Sequence, residues 1–302
     1  MSAADDRRVA RPDANRSVAT DRGQRPDWLR IRVRQTPELE AVRRLVAEER
    51  LHTVCASASC PNLSECWSRG TATFMIGGDT CTRRCGFCDV DTGRPGELDP
   101  FEPARVAHAV QRLGLAFSVI TCVARDDLPD GGAGQMAATI RAIRRRCPTT
   151  GVEVLIADYK GDDDALRLVL EAGPDVLNHN LETVERLQRR IRPAAGYERS
   201  LGVLRRSRRI RPLIPTKSGL MLGLGEREAE VDQTLRDLRA AGVDLLTLGQ
   251  YLRPSPDHVP VERYVPPEEF DAWASRAREL GFRDVAAGPL VRSSYHAERL
   301  AG

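Results

Sequence analysis

Residues 77–88 read GGDTCTRRCGFC and contain three cysteines, Cys81, Cys85 and Cys88, in the spacing C-x3-C-x2-C. Three thiolates can hold an iron–sulfur cube by three corners and leave the fourth iron open to another ligand, whereas a four-cysteine site caps every iron. The same spacing also marks one face of a helix, on which buried cysteines act as small apolar side chains. The glycines and the Thr-Arg-Arg run of this stretch disfavour such a helix. We therefore predict a ligand loop here.

A second group of three cysteines, Cys55, Cys60 and Cys66, precedes this loop in the spacing C-x4-C-x5-C. Pro61 excludes one continuous helix through all three. A structural zinc site is the alternative, but such sites usually show paired C-x2–4-C knuckles and four nitrogen or sulfur ligands. His52 could supply a fourth ligand, although a lone histidine is more often a surface or packing residue. The fourth ligand stays open on this evidence.

Length, charge and cysteine use limit the classes of protein. The chain has 302 residues, enough for one large core, and barrels of this size are commonly single domains. A formal charge of +3 and 5% aromatic residues do not favour a nucleic-acid partner. No apolar run suggests an export signal or a membrane span. Six of the eight cysteines lie from Cys55 to Cys88, which favours metal over disulfides and predicts a reducing cytoplasm.

The chain divides into four predicted parts. Residues 1–26 lack periodicity and predict a disordered tail; a transit peptide is the alternative, and the acidic residues count against it. Residues 27–70 predict an N-terminal extension with one amphipathic helix and the earlier cysteine triplet. Residues 71–285 predict the main domain, and residues 286–302 a C-terminal segment.

The main domain alternates short apolar runs with helical patterns, which predicts parallel strands joined by right-handed crossovers. The spacing favours an α/β fold with a partial (β/α)6-type barrel. The predicted strands are Ala72–Ile76, Phe117–Val123, Glu153–Ile156, Val176–Asn178, Ser218–Leu222, Leu245–Leu248 and, more weakly, Asp284–Ala287. The predicted helices are Pro103–Leu113, Gln135–Arg146, Asp163–Glu171, Thr183–Arg190, Glu198–Arg209, Glu228–Ala241 and Pro267–Leu280. Barrel chemistry lies at the C-terminal strand ends, where residues 77–88 fall.

Polar or glycine-rich stretches also follow four later strands. Residues 124–132 read ARDDLPDGG, in which Gly131 and Gly132 can expose backbone to a ligand, although the composition also suits a solvated turn. Asn180 and Glu182 are two apart, so an extended segment places both on one face, as contact with a ribose diol requires. Glu182 could instead begin a helix. The other two stretches are residues 214–226, which contain Lys217, and residues 249–255.

The cysteine loop at the first strand end resembles that of the radical S-adenosylmethionine superfamily. Further motifs narrow the resemblance to the lipoyl synthase family, from about Trp28 to Ala297. These motifs are C-x4-C-P-N-x3-C-W, C-T-R-R-C-x-F-C, A-R-D-D-L-P-D-G-G, H-N-L-E-T-V, R-I-R-P, T-K-S-G-L-M-L-G-L-G-E, Q-Y-L-R-P-S and R-S-S-Y-H-A. One departure, the Ala-Ser-Ala-Ser run at residues 56–59 where an acidic residue is expected, affects no ligand position.

The resemblance assigns a role to each site residue. Cys81, Cys85 and Cys88 correspond to the catalytic ligands of a radical-generating 4Fe–4S cluster. An auxiliary 4Fe–4S cluster would be held by Cys55, Cys60, Cys66 and a serine, with Ser294 the first choice and Ser293 the second. Contacts with S-adenosylmethionine are implied for Gly131, Gly132, Asn180, Glu182, Arg192 and Lys217.

The implied reaction inserts sulfur at C6 and C8 of an octanoyl chain linked to a lysine of a carrier protein. A 5′-deoxyadenosyl radical from S-adenosylmethionine would remove each hydrogen, and the auxiliary cluster would donate the sulfur. The implied partners are an octanoylated carrier (an E2 subunit or the glycine cleavage H protein), an electron donor such as ferredoxin or flavodoxin, and an iron–sulfur carrier for cluster repair, with no nucleic acid or membrane.

Two other classes of function stay open on the residues alone. A radical enzyme that makes a thioether or methylthio group would need an additional RNA- or peptide-binding domain, and few residues remain to build one. A non-enzymatic zinc or iron–sulfur module for nucleic acid would need a basic patch with exposed aromatic residues, which the composition does not favour.

Overall fold

The computed structural model describes residues 25–30, 37–54, 62, 73–294 and 297. Cys55, Cys60 and Cys66 lie outside the described residues, as does nearly all of the predicted tail. The predicted helix of the N-terminal extension is present at Pro37–Glu48.

The described residues form one eight-stranded sheet, in the order β1-β2-β5-β6-β7-β8-β9-β10, and one two-stranded sheet, β3-β4. The strands are β1 (His52–Thr53), β2 (Thr73–Ile76), β3 (Thr80–Cys81), β4 (Asp91–Thr92), β5 (Phe117–Cys122), β6 (Gly151–Leu155), β7 (Val176–Asn178), β8 (Thr216–Leu222), β9 (Leu245–Gln250) and β10 (Asp284–Gly288). All neighbours from β2 to β10 pair in parallel, and β1 alone is antiparallel, on the edge beside β2.

Helices follow the parallel strands and cover the outer face of the sheet. They are α1 (Pro37–Glu48), α2 (Glu102–Arg112), α3 (Ala133–Arg146), α4 (Asp163–Glu171), α5 (Glu185–Ile191), α6 (Tyr197–Ile210), α7 (Glu228–Ala240) and α8 (Pro267–Glu279), with short 3-10 turns at Asp27–Leu29 and Tyr159–Gly161. In α2 the buried residues Val106, Ala109 and Val110 recur at helical spacing and pack on Ile120 of β5. Burial of such stripes against the strands is what holds the helical layer in place.

Cross-strand register identifies the side chains that fill the barrel. Asn178 pairs with Lys217 on β8, and Glu153 of β6 pairs with Val176. Successive side chains of a strand point to opposite faces. Since the residues next to these, such as Val154, pack with the helices outside, Glu153, Asn178 and Lys217 face the interior.

The predicted α/β partial barrel is confirmed, and each predicted strand and helix of the main domain is present with bounds that differ by at most two residues. The weakly predicted last strand pairs with β9 and makes a seventh parallel strand. It extends to Gly288, across the predicted boundary at residue 285. Helix α5 begins at Glu185 rather than Thr183, because Glu182 adopts a left-handed φ of 67° and turns the chain first.

Candidate active site

The cysteine loop leaves β2 at its C-terminal end through two glycines. Gly77 and Gly78 have φ values of 82° and 98°, a conformation that costs other residues energy. The Gly77 N–H donates to Glu102 Oε2 at 2.9 Å, and its carbonyl accepts from Arg125 Nη1 at 2.9 Å. The turn into the loop is thus fixed by backbone conformation and by two buried charged side chains.

Cys81, Cys85 and Cys88 are free thiols and partly exposed. Burial raises the pKa of Cys85 to about 11, with Arg192 opposing the shift, and raises that of Cys88 to about 12. The charge of Cys81 adds to both shifts. No three His, Cys, Asp or Glu side chains within the described ranges converge on a single-ion site. An iron–sulfur cube is larger than one ion, and three separated thiols on one loop fit its corners.

The first half of the loop is tied to the ends of β5 and β6. Thr82 donates from its N–H and from Oγ1 to the Ala124 carbonyl, at 3.0 and 2.9 Å. The Arg83 guanidinium donates from Nε and Nη2 to both oxygens of Asp126, at 2.7 and 2.8 Å, and from Nη2 to Asp158 Oδ1 at 2.6 Å. These bonds join the loop to two neighbouring strand ends.

The second half of the loop is held by the chain that follows α5 and β9. The Gly86 N–H donates to the Ile191 carbonyl at 2.8 Å, and the Gly86 carbonyl accepts from Val259 N at 2.9 Å. His258 Nε2 lies 3.0 Å from the Cys88 carbonyl oxygen, and its Nδ1 lies 2.9 Å from Ser255 Oγ. A carbonyl only accepts, so Nε2 of His258 carries the proton.

Asn180 and Glu182, predicted to share one face, lie together at the end of β7. Asn180 Nδ2 donates to Glu182 Oε1 at 3.0 Å. Burial raises the pKa of the Glu182 carboxyl group, and the nearby Arg192 and the Asn180 hydrogen bond oppose that rise. Arg192 itself is buried and donates from Nη1 to the Leu181 carbonyl at 2.9 Å. The predicted residues Asn180, Glu182 and Arg192 are thus brought together.

This rim has hydrogen-bond acceptors with no donor. Asn178 Oδ1 and Asn180 Oδ1 are buried and have no partner among the described residues. A Cβ placed on Gly219 would lie 3.0 Å from Asn180 Oδ1 and 2.5 Å from Thr247 Oγ1, so any larger residue at this position would clash with these two side chains. Buried acceptors normally have donors. A ligand that carries hydroxyl and ammonium donors, as S-adenosylmethionine does, fits this rim.

Gly131 and Gly132 lie where the β5 loop enters α3. Gly132 has a φ of 87°, and its N–H donates to Asp130 Oδ1 at 2.9 Å. Gly131 packs on the Tyr159 ring and lines a cavity of about 310 Å³ with Asp126, Asp127, Leu128, Pro129, Tyr159 and Lys160. The cavity lies beside the first half of the cysteine loop, and the role of these two glycines stays a prediction.

Lys217 lies deeper in the barrel than the rim. It is fully buried, and its Nζ donates to both carboxylate oxygens of Glu153, at 3.0 and 2.9 Å. Asn178 Nδ2 also donates to Glu153 Oε1 at 2.9 Å. The carboxylate that Lys217 meets in this structure belongs to the chain, and its contact with a cofactor remains a prediction.

The C-terminal segment contacts Asn62, a described residue of the N-terminal extension. Asn62, two residues after Cys60, is buried and donates from Nδ2 to the Leu290 carbonyl at 2.7 Å. Ser293 and Ser294 follow within four residues of Leu290, in a turn, and both are partly buried. This hydrogen bond therefore joins Asn62, across 228 positions of the chain, to the C-terminal segment that contains the predicted serine ligand.

Three residues of this site were missed from the sequence. Arg83 and Arg84 are adjacent in the cysteine loop, and the sequence does not tell which is buried. Arg125 lies in the 124–132 stretch, in which Gly131 and Gly132 were the predicted ligand contacts. His258 lies three residues beyond the last quoted motif of its loop. A buried partner far along the chain was the missing signal in each case.

The family model for the Radical SAM superfamily matches residues 75–238, from β2 to α7. Two solved structures share the fold. SuiB of Streptococcus suis has a TM-score of 0.55 at 9% identity, over 74% of this chain and 52% of that one. HydG, a hydrogenase maturase, has a TM-score of 0.53 at 14% identity, over 75% and 58%. The fold and the thiol loop place the chain among the radical S-adenosylmethionine enzymes.

Curated relatives define the family within that class. Lipoyl synthase of Thermus thermophilus is 56% identical over 91% of this chain and 86% of its own length. Lipoyl synthase of Methylococcus capsulatus is 58% identical over 92% and 86%, and that of Mycobacterium tuberculosis 55% over 99% and 95%. The chain belongs to the lipoyl synthase family. In the described part of the chain every helix is too short or too polar to cross a membrane.

Proposed function

We propose that this chain makes the lipoyl group with two cysteine triplets that have separate tasks. Members of the lipoyl synthase family are radical sulfurtransferases that use S-adenosylmethionine and two 4Fe–4S clusters. Cys81, Cys85 and Cys88 hold the radical-generating cluster. The observation that carries this assignment is their position, on a loop at the C-terminal end of β2 beside the rim of unpartnered acceptors.

The rim residues bind and orient the cofactor. Glu182 and Asn180 Oδ1 accept hydrogen bonds from its ammonium and hydroxyl groups, and Arg192 faces its carboxylate. When bound, the clusters and S-adenosylmethionine supply the electron, the hydrogen-abstracting radical and the sulfur. The protein's own contribution is a buried interior that keeps water from the reacting atoms, with the rim charges balanced between Glu182 and Arg192.

The second triplet, Cys55, Cys60 and Cys66, holds the auxiliary cluster, and Ser294 closes it from the far end of the chain. The hydrogen bond from Asn62 to the Leu290 carbonyl supports this assignment, because it ties the loop after Cys60 to the segment that carries the serine. A serine oxygen suits iron less well than a thiolate does, so this corner is the labile one. Lability is useful in a cluster that gives up its sulfur.

The substrate is an octanoyl-lysine of a carrier protein or domain, such as an E2 subunit or the glycine cleavage H protein, and the sulfurs enter at C6 and C8. Such a reaction needs a low-potential electron donor such as ferredoxin or flavodoxin, and an iron–sulfur carrier that rebuilds the spent cluster. We place the enzyme in the cytoplasm, because its cysteines are clustered as metal ligands are and not spread as disulfide partners.

Anaerobic reconstitution tests the division of tasks. The wild-type chain should carry roughly eight irons, as two four-iron clusters require. An octanoyl-lysyl peptide should gain two sulfur atoms, read by mass spectrometry. Replacement of the second triplet, Cys55, Cys60 and Cys66, by Ala should abolish sulfur transfer yet leave cleavage of S-adenosylmethionine measurable.

The matched control is the replacement of Cys81, Cys85 and Cys88 by Ala, which should abolish both activities. About four irons in the wild-type chain contradicts the two-cluster assignment. Loss of S-adenosylmethionine cleavage in the variant without Cys55, Cys60 and Cys66 contradicts the separation of tasks. Ser294→Ala should weaken retention of the auxiliary cluster more than Ser293→Ala; the reverse order moves the ligand to Ser293.

A further inference from the structure

The Cys81 sulfur accepts a backbone hydrogen bond within its own loop. The N–H of Arg83 lies 3.4 Å from Cys81 Sγ, within the range for a sulfur acceptor. Hydrogen bonds to the sulfurs of an iron–sulfur cluster help to set its reduction potential. Reduction adds one electron and hence one negative charge, which an N–H donor stabilises. The position of the Arg83 N–H therefore bears on how readily the cluster accepts an electron.

The side chain of the same residue is firmly anchored. Arg83 makes a two-pronged pair with Asp126 and a third bond to Asp158, at 2.6 to 2.8 Å, and its side chain is 7% exposed. Bidentate guanidinium–carboxylate pairs fix orientation as well as distance. The loop backbone at Arg83 is thus held from the side of β5 and from the side of β6.

The partners of Arg83 are themselves held in place. The Asp126 N–H donates to Thr82 Oγ1 at 3.0 Å. The Asp158 side chain is fully buried, and Arg199 Nε lies 3.3 Å from its second oxygen, close enough for ion pairing but not aligned for a hydrogen bond. Burial alone would raise the pKa of Asp158, and the hydrogen bond and charge of Arg83 outweigh it and lower that pKa. The anchor is therefore a charge-balanced network, in which loss of one member would leave a buried charge unpaired.

The next residue offers a natural contrast. Arg84 carries the same charge in the same loop, but its side chain is exposed. It makes no hydrogen bond or ion pair with the residues that the structure describes. Both arginines carry a positive charge in the same loop. They differ because the Arg83 side chain is buried and anchored and that of Arg84 is not.

We propose that Arg83 is a positioning residue for the radical-forming step: its anchored side chain fixes its own backbone N–H on the Cys81 sulfur and so keeps the reduction potential of that cluster higher than an unanchored loop would. This inference rests on the proposed role of Cys81 as a cluster ligand. It assigns to the first half of the loop a task that the three cysteines do not perform.

Redox titration of the full, anaerobically reconstituted chain tests the proposal. The probe is the part of the reduced-cluster electron paramagnetic resonance signal that changes when S-adenosylmethionine is added, since this part reports the radical cluster alone. Arg83→Met and Asp126→Asn should move its midpoint to a more negative potential and change its line shape. Arg83→Lys keeps the charge but loses the planar fork, and should shift the midpoint in the same direction. Arg84→Met, the matched control, should coincide with the wild type.

The outcomes separate this proposal from the function on which it rests. A wild-type chain with no signal that responds to S-adenosylmethionine overturns the ligand assignment itself. A responsive wild-type signal with an unchanged midpoint in iron-loaded Asp126→Asn overturns the role of Arg83, as does an equal shift in Arg84→Met. If Arg83→Met does not take up iron, Asp126→Asn decides, because it leaves the cysteine loop intact. Failure of every anchor variant to load iron means a purely structural anchor and overturns the claim about potential.

Discussion

Two polar clusters lie in the same barrel, one around Asn178 at the end of β7 and the other around Asn180, two residues further along the chain. In the deeper one, Lys217 and Glu153 satisfy each other, and Asn178 donates to the same carboxylate. In the upper one, at the rim, Glu182 is held by a single amide donor, and Asn180 Oδ1 has no partner among the described residues. The deeper cluster is fully buried and the rim is partly exposed at Glu182, but the clearer difference is in the hydrogen bonds that each carboxylate accepts.

That difference distinguishes structure from function. A buried charge is costly unless it is paired, and a pair closed within the protein leaves nothing for a ligand to do. A buried acceptor without a donor costs stability in the free protein, and the cost is recovered when a ligand supplies the donor. The deeper cluster therefore supports the barrel, and the rim is prepared for a ligand. The unpartnered acceptors begin at Asn178 Oδ1, where the two clusters meet.

The largest effect is expected from Lys217→Met. The change leaves the fully buried Glu153 carboxylate without its cation, which typically costs about 3–5 kcal/mol of folding free energy. The free energy of unfolding, measured with urea under anaerobic conditions, should fall by that amount. The affinity of the remaining folded chain for S-adenosylmethionine, measured by calorimetry, should stay the same.

Lys160→Met is the matched control, because Lys160 is the other lysine of the chain and its ammonium is exposed, on the Asp126 carbonyl. It should change the free energy of unfolding by no more than about 0.5 kcal/mol. Equal losses in the two variants would contradict the deeper cluster as a structural element. A loss of cofactor affinity in Lys217→Met without a loss of stability would return Lys217 to the ligand site.

The prediction for Lys217 shows where the sequence is informative and where it is not. The strand was predicted from its apolar residues as Ser218–Leu222, two residues short at the start, so Lys217 fell outside the predicted bounds. A ligand contact for Lys217 was implied by the family resemblance. Its partner, Glu153, lies 64 residues earlier in a strand that reads Gly-Val-Glu-Val-Leu, and no local pattern pairs the two.

In the rest of the site, too, the sequence predicts local features but not long-range contacts. The spacing of Cys81, Cys85 and Cys88 and the two-residue step from Asn180 to Glu182 are local, so the sequence predicts which residues share a loop or a face. The anchors of the cysteine loop are not local. Arg83 reaches Asp158 across 75 residues, and His258 reaches Cys88 across 170. Contacts of this kind depend on the closed fold.

A second effect should appear on acidification, and it originates next to the rim. His179 Nδ1 donates to the Ile156 carbonyl at 2.9 Å, and its buried Nε2 has no partner among the described residues. Burial, with the charge of Arg192 adding to it, lowers its pKa from 6.5 to about 4. The unfolded chain then takes up the proton first as the pH falls. Stability present above pH 6.5 should be lost between pH 6.5 and about 4, by up to about 3 kcal/mol.

His179→Gln removes this titration, because glutamine cannot take up a proton in that range. The difference in free energy of unfolding between wild type and variant should therefore decrease steadily from pH 7 to pH 4.5. Parallel pH profiles for the two proteins would show that another group accounts for the acid sensitivity.

Glu182→Gln should have the smallest of the three effects on stability. It is also the most direct test of the difference between the rim and the deeper cluster. Glutamine keeps the shape but not the charge, and a hydrogen bond to a charged group is worth about 1.5–3 kcal/mol, so affinity for S-adenosylmethionine should fall about 10- to 100-fold in calorimetry. Folding should not suffer, because burial raises the pKa of this carboxyl group and makes its ionised form unfavourable; above that pKa the variant should be at least as stable as the wild type. Glu153→Gln, the same change one layer deeper, should reverse the pattern, with a loss of stability and an unchanged affinity. If both variants lose stability and neither loses affinity, the rim is a structural layer like the one beneath it, and the cofactor is held elsewhere.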